Sequence, residues 1–325
     1  MNIKKYLKNN KICGPLYYKL KSYKDVKMLN ERVQYTGKFI NRSKERKYLC
    51  IALAGYKEFF YPAFFSRLEK FMDERLDVCI ITSGLYSEEI DEICKRNDWS
   101  YLSTNENNVS LVQNVAINLH PKAELIFKLD EDILITKDYF DHMLLAYSLA
   151  RDSEYLPGVI APIIPINGYG HMRVLEKLQL KKLYEEKFEK PLYAAGPSRM
   201  IENSVEVAKF FWGENEYIPT IDQMNAQFWN GEKKVLPCPI RFSIGAILFE
   251  RQLWEKMGYF KVSKKGVAMG GDESQLCSYC CEYSKPIMVS DNVVVGHLGF
   301  GPQNAAMKEY YLGHKEKFMI TGDLK

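Results

Sequence analysis

Three carboxylates stand in a row at Asp130-Glu131-Asp132, directly after the apolar run Leu125-Ile126-Phe127-Lys128-Leu129. Two carboxylates one residue apart at a strand end can hold a hard divalent cation, and such an ion neutralises a diphosphate. An acidic surface turn would look the same, so the triplet needs support from elsewhere in the chain. Gly270-Gly271-Asp272-Glu273 supplies it. Two glycines there permit an unusual backbone path and close substrate approach, and a carboxylate behind them can deprotonate a hydroxyl. Helix capping by Asp272 is the plain alternative. His297, flanked by Gly296 and Gly299 after the run Val293-Val294-Val295, can complete a metal site, although a lone histidine is more often structural.

These groups must be carried by a regular frame, and the apolar pattern provides one. Tyr48 to Ala54 reads as a buried strand ended by Gly55, and Pro62 opens a helix with Phe64, Phe65, Leu68 and Phe71 on one side. Val78 to Ile81 is the next strand, and Ser87 with Glu88 and Glu89 starts a helix. A strand at Trp99 to Leu102, a helix at Val109 to Leu119 and a strand at Leu125 to Leu129 follow. This alternation predicts an α/β fold with a mainly parallel central sheet and helices on both faces. The triplet then lies beyond the carboxyl end of a strand, where open α/β sheets bind ligands. The second half is less regular: a strand from Val159 to Pro165, a helical region from Met172 to Phe188, a strand from Phe242 to Phe249 and a helix after Asp272 are expected.

A chain of 325 residues, 46% of them hydrophobic, can bury a large core, which excludes a disordered protein. Fourteen Lys/Arg against three Asp/Glu give residues 1–47 a charge of +11, leaving −7 for the rest of a chain of net +4. This basic arm, with Tyr6, Leu7, Leu16, Tyr17 and Tyr18 interleaved, suits an anionic surface or is a solvated tail. The eight cysteines are scattered through apolar runs, which fits a reducing cytoplasm. No stretch approaches the ~20 apolar residues that cross a bilayer. Neither a phosphate-cradling P-loop nor a Gly-x-Gly-x-x-Gly turn is present, and no nucleic-acid motif accompanies the arm.

Taken together, the strand, the Asp130-Glu131-Asp132 triplet and the helix Thr136 to Leu149 resemble the donor region of GT-A glycosyltransferases of the inverting family 2. Phe242 to Phe260 is similar to the Gly-Ala strand, short helix and Gly-x-Phe end of that family. Met269-Gly270-Gly271-Asp272-Glu273 resembles its Trp-Gly-Gly-Glu-Asp element with the two acids exchanged and Met in the place of Trp. The resemblance spans roughly Lys47 to Gly301. It implies a GT-A catalytic domain over 48–301, divided into a nucleotide-binding half (48–135) and an acceptor half (136–301), between the basic extension 1–47 and a tail at 302–325.

The same resemblance implies particular roles. Asp130, Asp132 and His297 would hold Mn²⁺ or Mg²⁺. Ala54, Gly55, Tyr56, Glu58, Ser83, Asn114, Asp130 and Glu131 would lie about the nucleotide, with Gln113 standing in the family's Arg slot beside Asn114. Glu273 takes the position of the catalytic base and Asp272 that of an acceptor-binding acid, the reverse assignment remaining open. The implied reaction is metal-dependent, inverting sugar transfer from a nucleotide donor, a UDP-sugar, to a glycan or lipid-linked glycan. The implied setting is the cytoplasm, peripherally at the inner membrane face, in bacterial surface-polysaccharide assembly. A sugar nucleotidylyltransferase would share sheet and metal but should carry a Gly-rich, Arg-containing first loop. A non-catalytic carbohydrate-binding protein on a degenerate GT-A fold would not need both acidic elements.

Overall fold

The computed structural model of the chain describes residues 13–263 and 270–320. Met269 and the first part of the basic arm therefore lie outside the described residues. A nine-stranded sheet runs through the molecule in the order β1-β4-β3-β2-β5-β9-β7-β10-β8. Its strands are β1 (Gly37–Ile40), β2 (Tyr48–Leu53), β3 (Leu76–Ser83), β4 (Ser100–Thr104), β5 (Leu125–Leu129), β7 (Val159–Ile163), β8 (Val235–Pro237), β9 (Ala246–Glu250) and β10 (Ile287–Val294). Strands β2 to β5 pair in parallel, as do β7 and β10. The sheet is flanked by helices and mostly parallel, as the alternating pattern leads one to expect. Strand β9 departs from that pattern by running antiparallel to both β5 and β7.

Local signals place the helices well. Pro62 sits in the first turn of α2 (Tyr61–Phe71), which follows α1 (Cys13–Glu31), and Ser87 caps α3 (Glu88–Arg96) by accepting from the Ile90 N–H. Helix α4 (Val109–Leu119) is capped by Asn108. The region expected to be helical from Met172 to Phe188 resolves into two helices, Gly170–Lys177 and Lys181–Lys187.

The two terminal segments are less separate than an extension and a tail. Strand β1 pairs antiparallel with β4 at the sheet edge, so residues before Lys47 are built into the sheet. Near the other end Met307, Tyr311 and Phe318 are buried in the common core. Arg67 ties this end down: although fully buried, its guanidinium donates to both carboxylate oxygens of Asp222 at 2.8 Å and to the carbonyls of Ile135, Phe318 and Met319. A buried charge with this many acceptors is compensated rather than stranded.

Candidate active site

Register brings the strand ends together. Ala52 of β2 pairs with Leu129 of β5, so Ala54-Gly55-Tyr56-Lys57 and Asp130-Glu131-Asp132 emerge side by side. On the other flank Leu129 pairs with Ala246 of β9, and the Asp130 N–H donates to the Gly245 carbonyl at 2.8 Å. A side chain at Gly245 would reach 2.9 Å from Ile133 and 3.6 Å from an Asp130 oxygen, so the glycine lets the triplet close against β9. The chain then forms β6 (Ile133–Leu134), which pairs with β11 (Gly296–His297) in a separate two-stranded ribbon, His297 facing Ile133. This ribbon carries the histidine back to the triplet.

Each acid of the triplet has a distinct partner. Glu131 accepts the backbone N–H groups of Tyr56 and Lys57 at 2.9 and 3.1 Å, clamping the turn after β2. Asp132 is almost wholly buried, pairs with the Lys57 ammonium and lies 3.5 Å from His297 Nε2. Burial opposes its charge, but Lys57 and His297 outweigh burial and hold its carboxyl well below the usual range. Asp130 meets the Lys128 ammonium at 2.5 Å. Burial and the neighbouring Asp132 and Asp272 carboxylates raise Asp130 nonetheless, against the pull of Lys128. Lys128 is itself buried within β5 and also donates to the Ile244 carbonyl at 2.9 Å.

The second acidic element starts helix α12 (Gly271–Glu282), where Gly270 adopts φ +86°, a left-handed conformation that glycine allows without strain. Asp272 is buried with both oxygens engaged: Oδ2 accepts from Gln113 Nε2 at 2.9 Å and Oδ1 from the Glu273 N–H at 3.0 Å. Glu273 is held differently, by Arg241 Nε at 3.2 Å. Its carboxyl is pushed up to about 7, chiefly by burial, with Arg241 and Lys128 pulling the other way. Arg241 also bonds the buried Glu202 at 3.1 Å, whose other oxygen accepts the Gly196 N–H. Asp272 adds to the upward push on Asp130, and Lys128 to the downward pull on Glu273, so the two acidic elements lie within electrostatic reach of each other.

Not every expected residue joins it. Asn114 is fully buried and its amide is consumed by the protein: Nδ2 donates to the Arg32 and Phe260 carbonyls, while Oδ1 accepts from Trp254 Nε1 and the Phe260 N–H. It braces the chain after β9 instead of facing a nucleotide. Ser83 is also buried, its hydroxyl accepting from the Asn108 N–H and facing the 106–107 loop. Ala54 is buried, Gly55 takes φ +124° beside Leu85, and Tyr56 reaches the Ser83 carbonyl through its hydroxyl. Glu58 is exposed on the following turn. Nearby, Trp212 is buried with its Nε1 donating to the His297 carbonyl beneath Gly296.

The expected metal ligands are brought near one another without forming a cation cage. Among the described residues no three His, Cys, Asp or Glu side chains are grouped so as to hold a metal ion. In addition, an ammonium stands on Asp130 and another on Asp132. The donor set as arranged does not fit Mn²⁺ or Mg²⁺. Three further partners, Lys57, Lys128 and Arg241, belong to the site without carrying a motif role, and Gln113, which stands in the family's Arg slot, joins them by holding Asp272. Of these, Lys128 had a signal in the sequence, a lone charge inside an otherwise apolar strand run, which demands a buried partner.

No family model matches the chain, and no curated protein matches it. Among solved structures it is similar to the mannosyltransferase PcManGT from Pyrobaculum calidifontis in complex with GDP-Man and Mn²⁺, with a TM-score of 0.45 and 11% sequence identity. That alignment covers 86% of this chain and 63% of the mannosyltransferase, so the chain spans less than two thirds of that protein's length.

Proposed function

We propose that this protein is a glycosyltransferase of GT-A type that moves a sugar from a nucleotide-sugar donor to an acceptor hydroxyl, with Glu273 as general base. The observation that supports this best is the pairing of a strand-end carboxylate site with a nearby carboxyl poised at about 7. A base tuned close to neutral pH is efficient at taking a hydroxyl proton. Asp272 has both oxygens committed, to Gln113 and to the backbone of its neighbour, whereas Glu273 is held through one oxygen by Arg241, which favours Glu273 as the base. In the reaction the acceptor oxygen forms a bond to the anomeric carbon as its proton passes to Glu273. The bond from that carbon to the diphosphate breaks, its electron pair leaving with the nucleotide. Attack from the face opposite the leaving group inverts the anomeric centre.

The finer reading is a UDP-sugar donor and a glycan or lipid-linked glycan acceptor, in bacterial surface-polysaccharide assembly. The basic arm is assigned to an anionic membrane surface, where such lipid-linked acceptors reside. Incubation of the full chain with a panel of nucleotide sugars, read by release of the nucleoside diphosphate and by thermal shift, tests the reading. One donor is expected to be turned over, and release of nucleoside triphosphate in the presence of pyrophosphate would instead mark a nucleotidylyltransferase.

A further inference from the structure

Two fixed ammonium groups stand on the acids of the triplet, Lys57 on Asp132 and Lys128 on Asp130, and they carry between them the charge of one divalent ion. Lys57 reaches the site from the turn after β2, and that turn is held to the triplet by the two backbone N–H bonds to Glu131. Its side chain is 17% exposed, and among the described residues its ammonium donates to Asp132 alone. An ammonium has three N–H donors, so one partner leaves donors for phosphate oxygens. Lys128 comes from within β5, its buried ammonium fixed by Asp130 and the Ile244 carbonyl.

We propose that Lys57, backed by Lys128, takes the place of a metal ion in this site and neutralises the diphosphate of the bound and departing nucleotide. This rests on the reading of the site as that of a nucleotide-sugar transferase. Asp132 and His297 then have a role other than metal ligation: they position the Lys57 ammonium, His297 itself being anchored through Nδ1 on the Ile166 carbonyl at 3.1 Å. Cations already fixed in a water-poor site need little reorganisation as charge develops on the leaving group, which is the condition for strong electrostatic stabilisation.

The test is calorimetry of UDP and of GDP with the full chain, in EDTA and in Mn²⁺. Binding in EDTA should lie within about threefold of that in Mn²⁺. Lys57→Gln should weaken it by about tenfold or more, as expected for loss of one charge-assisted phosphate contact, while Lys57→Arg keeps most of the affinity. Binding that appears only with Mn²⁺, or that is unchanged in Lys57→Gln, overturns the proposal and leaves the transferase reading standing. The comparison in EDTA uses the unaltered chain, so it decides the point even if a variant folds poorly. Failure of both nucleotides to bind under either condition rejects the proposal together with the transferase reading.

Discussion

At the scale of single residues, Glu273 and Asp272 are neighbours in sequence with opposite environments. Glu273→Gln should reduce turnover by about 10²–10⁴-fold while nucleotide affinity is retained, because a base acts only in the transition state. Kinetics beside calorimetry separate the two effects, and near-normal turnover would remove Glu273 from the role. The wild-type kcat/KM should climb with pH to a plateau above about 7, where the carboxylate form dominates. Stability should move the other way. The folded protein holds this proton well above the ordinary value of 4.5, so the group's contribution is complete below about 4.5 and is lost as pH rises through about 7. Glu273→Gln should therefore flatten that slope and raise stability above pH 7, by at most roughly 3–4 kcal/mol. Denaturant titrations at pH 5 and pH 8 check the sign.

At the scale of elements, what could be read from the sequence was local, and what could not was long-range. The cap at Ser87, the helix-opening Pro62 and the apolar strand runs act within a few residues, and all appear in the structure. The antiparallel sense of β9 could not be read that way: the chain makes several helices after β7 before β9 inserts between β5 and β7. The site divides along the same line. The triplet, Asp272-Glu273 and His297 announce themselves by type and spacing. Lys57, Gln113 and Arg241 matter through partners far away in sequence, and Asn114 looks like a ligand contact until its four protein hydrogen bonds are seen. The ribbon β6–β11 illustrates how little room these elements have. A methyl at Gly296 would come within 2.6 Å of the buried Trp212 ring and 3.0 Å of Ile221. Gly296→Ala should cost about 1–3 kcal/mol by overpacking. A thermal midpoint unchanged by the substitution would show that the ribbon gives way easily, contrary to its packing.

At the scale of the whole molecule, two features join distant parts of the chain. Arg67 links α2 to Asp222, to the carbonyl beside β6 and to the carbonyls of Phe318 and Met319. Arg67→Met removes the charge and leaves Asp222 and three carbonyls without this donor, which should destabilise the protein by about 3–5 kcal/mol. Loss of the far C-terminal residues from the core should make them cleavable by protease, and unchanged proteolysis would show that apolar packing alone retains them.

The second feature is charge asymmetry, which bears on where the protein works. The first 47 residues hold +11 and the remainder −7, so an anionic surface would attract the N-terminal segment and repel the rest. In helix α1 the exposed Lys19, Lys21, Lys24 and Lys27 accompany the exposed apolar groups Tyr23, Val26 and Met28. Arg32, just beyond the helix, bonds the carbonyls of Gly258 and Tyr259, which fastens the arm to the body. No helix among the described residues is long and apolar enough to cross a membrane, so attachment through α1 would be peripheral. Each Lys near an anionic bilayer contributes about 1 kcal/mol, and screening removes that contribution at high salt. The full chain should thus co-sediment with vesicles containing a third phosphatidylglycerol, release in about 0.5 M salt and ignore pure phosphatidylcholine. Replacing the four lysines of α1 by Glu should abolish sedimentation while leaving nucleotide binding intact, because none of them touches the site. Equal sedimentation of variant and wild type would reduce the arm to a solvated basic segment and detach the membrane from the argument about the acceptor.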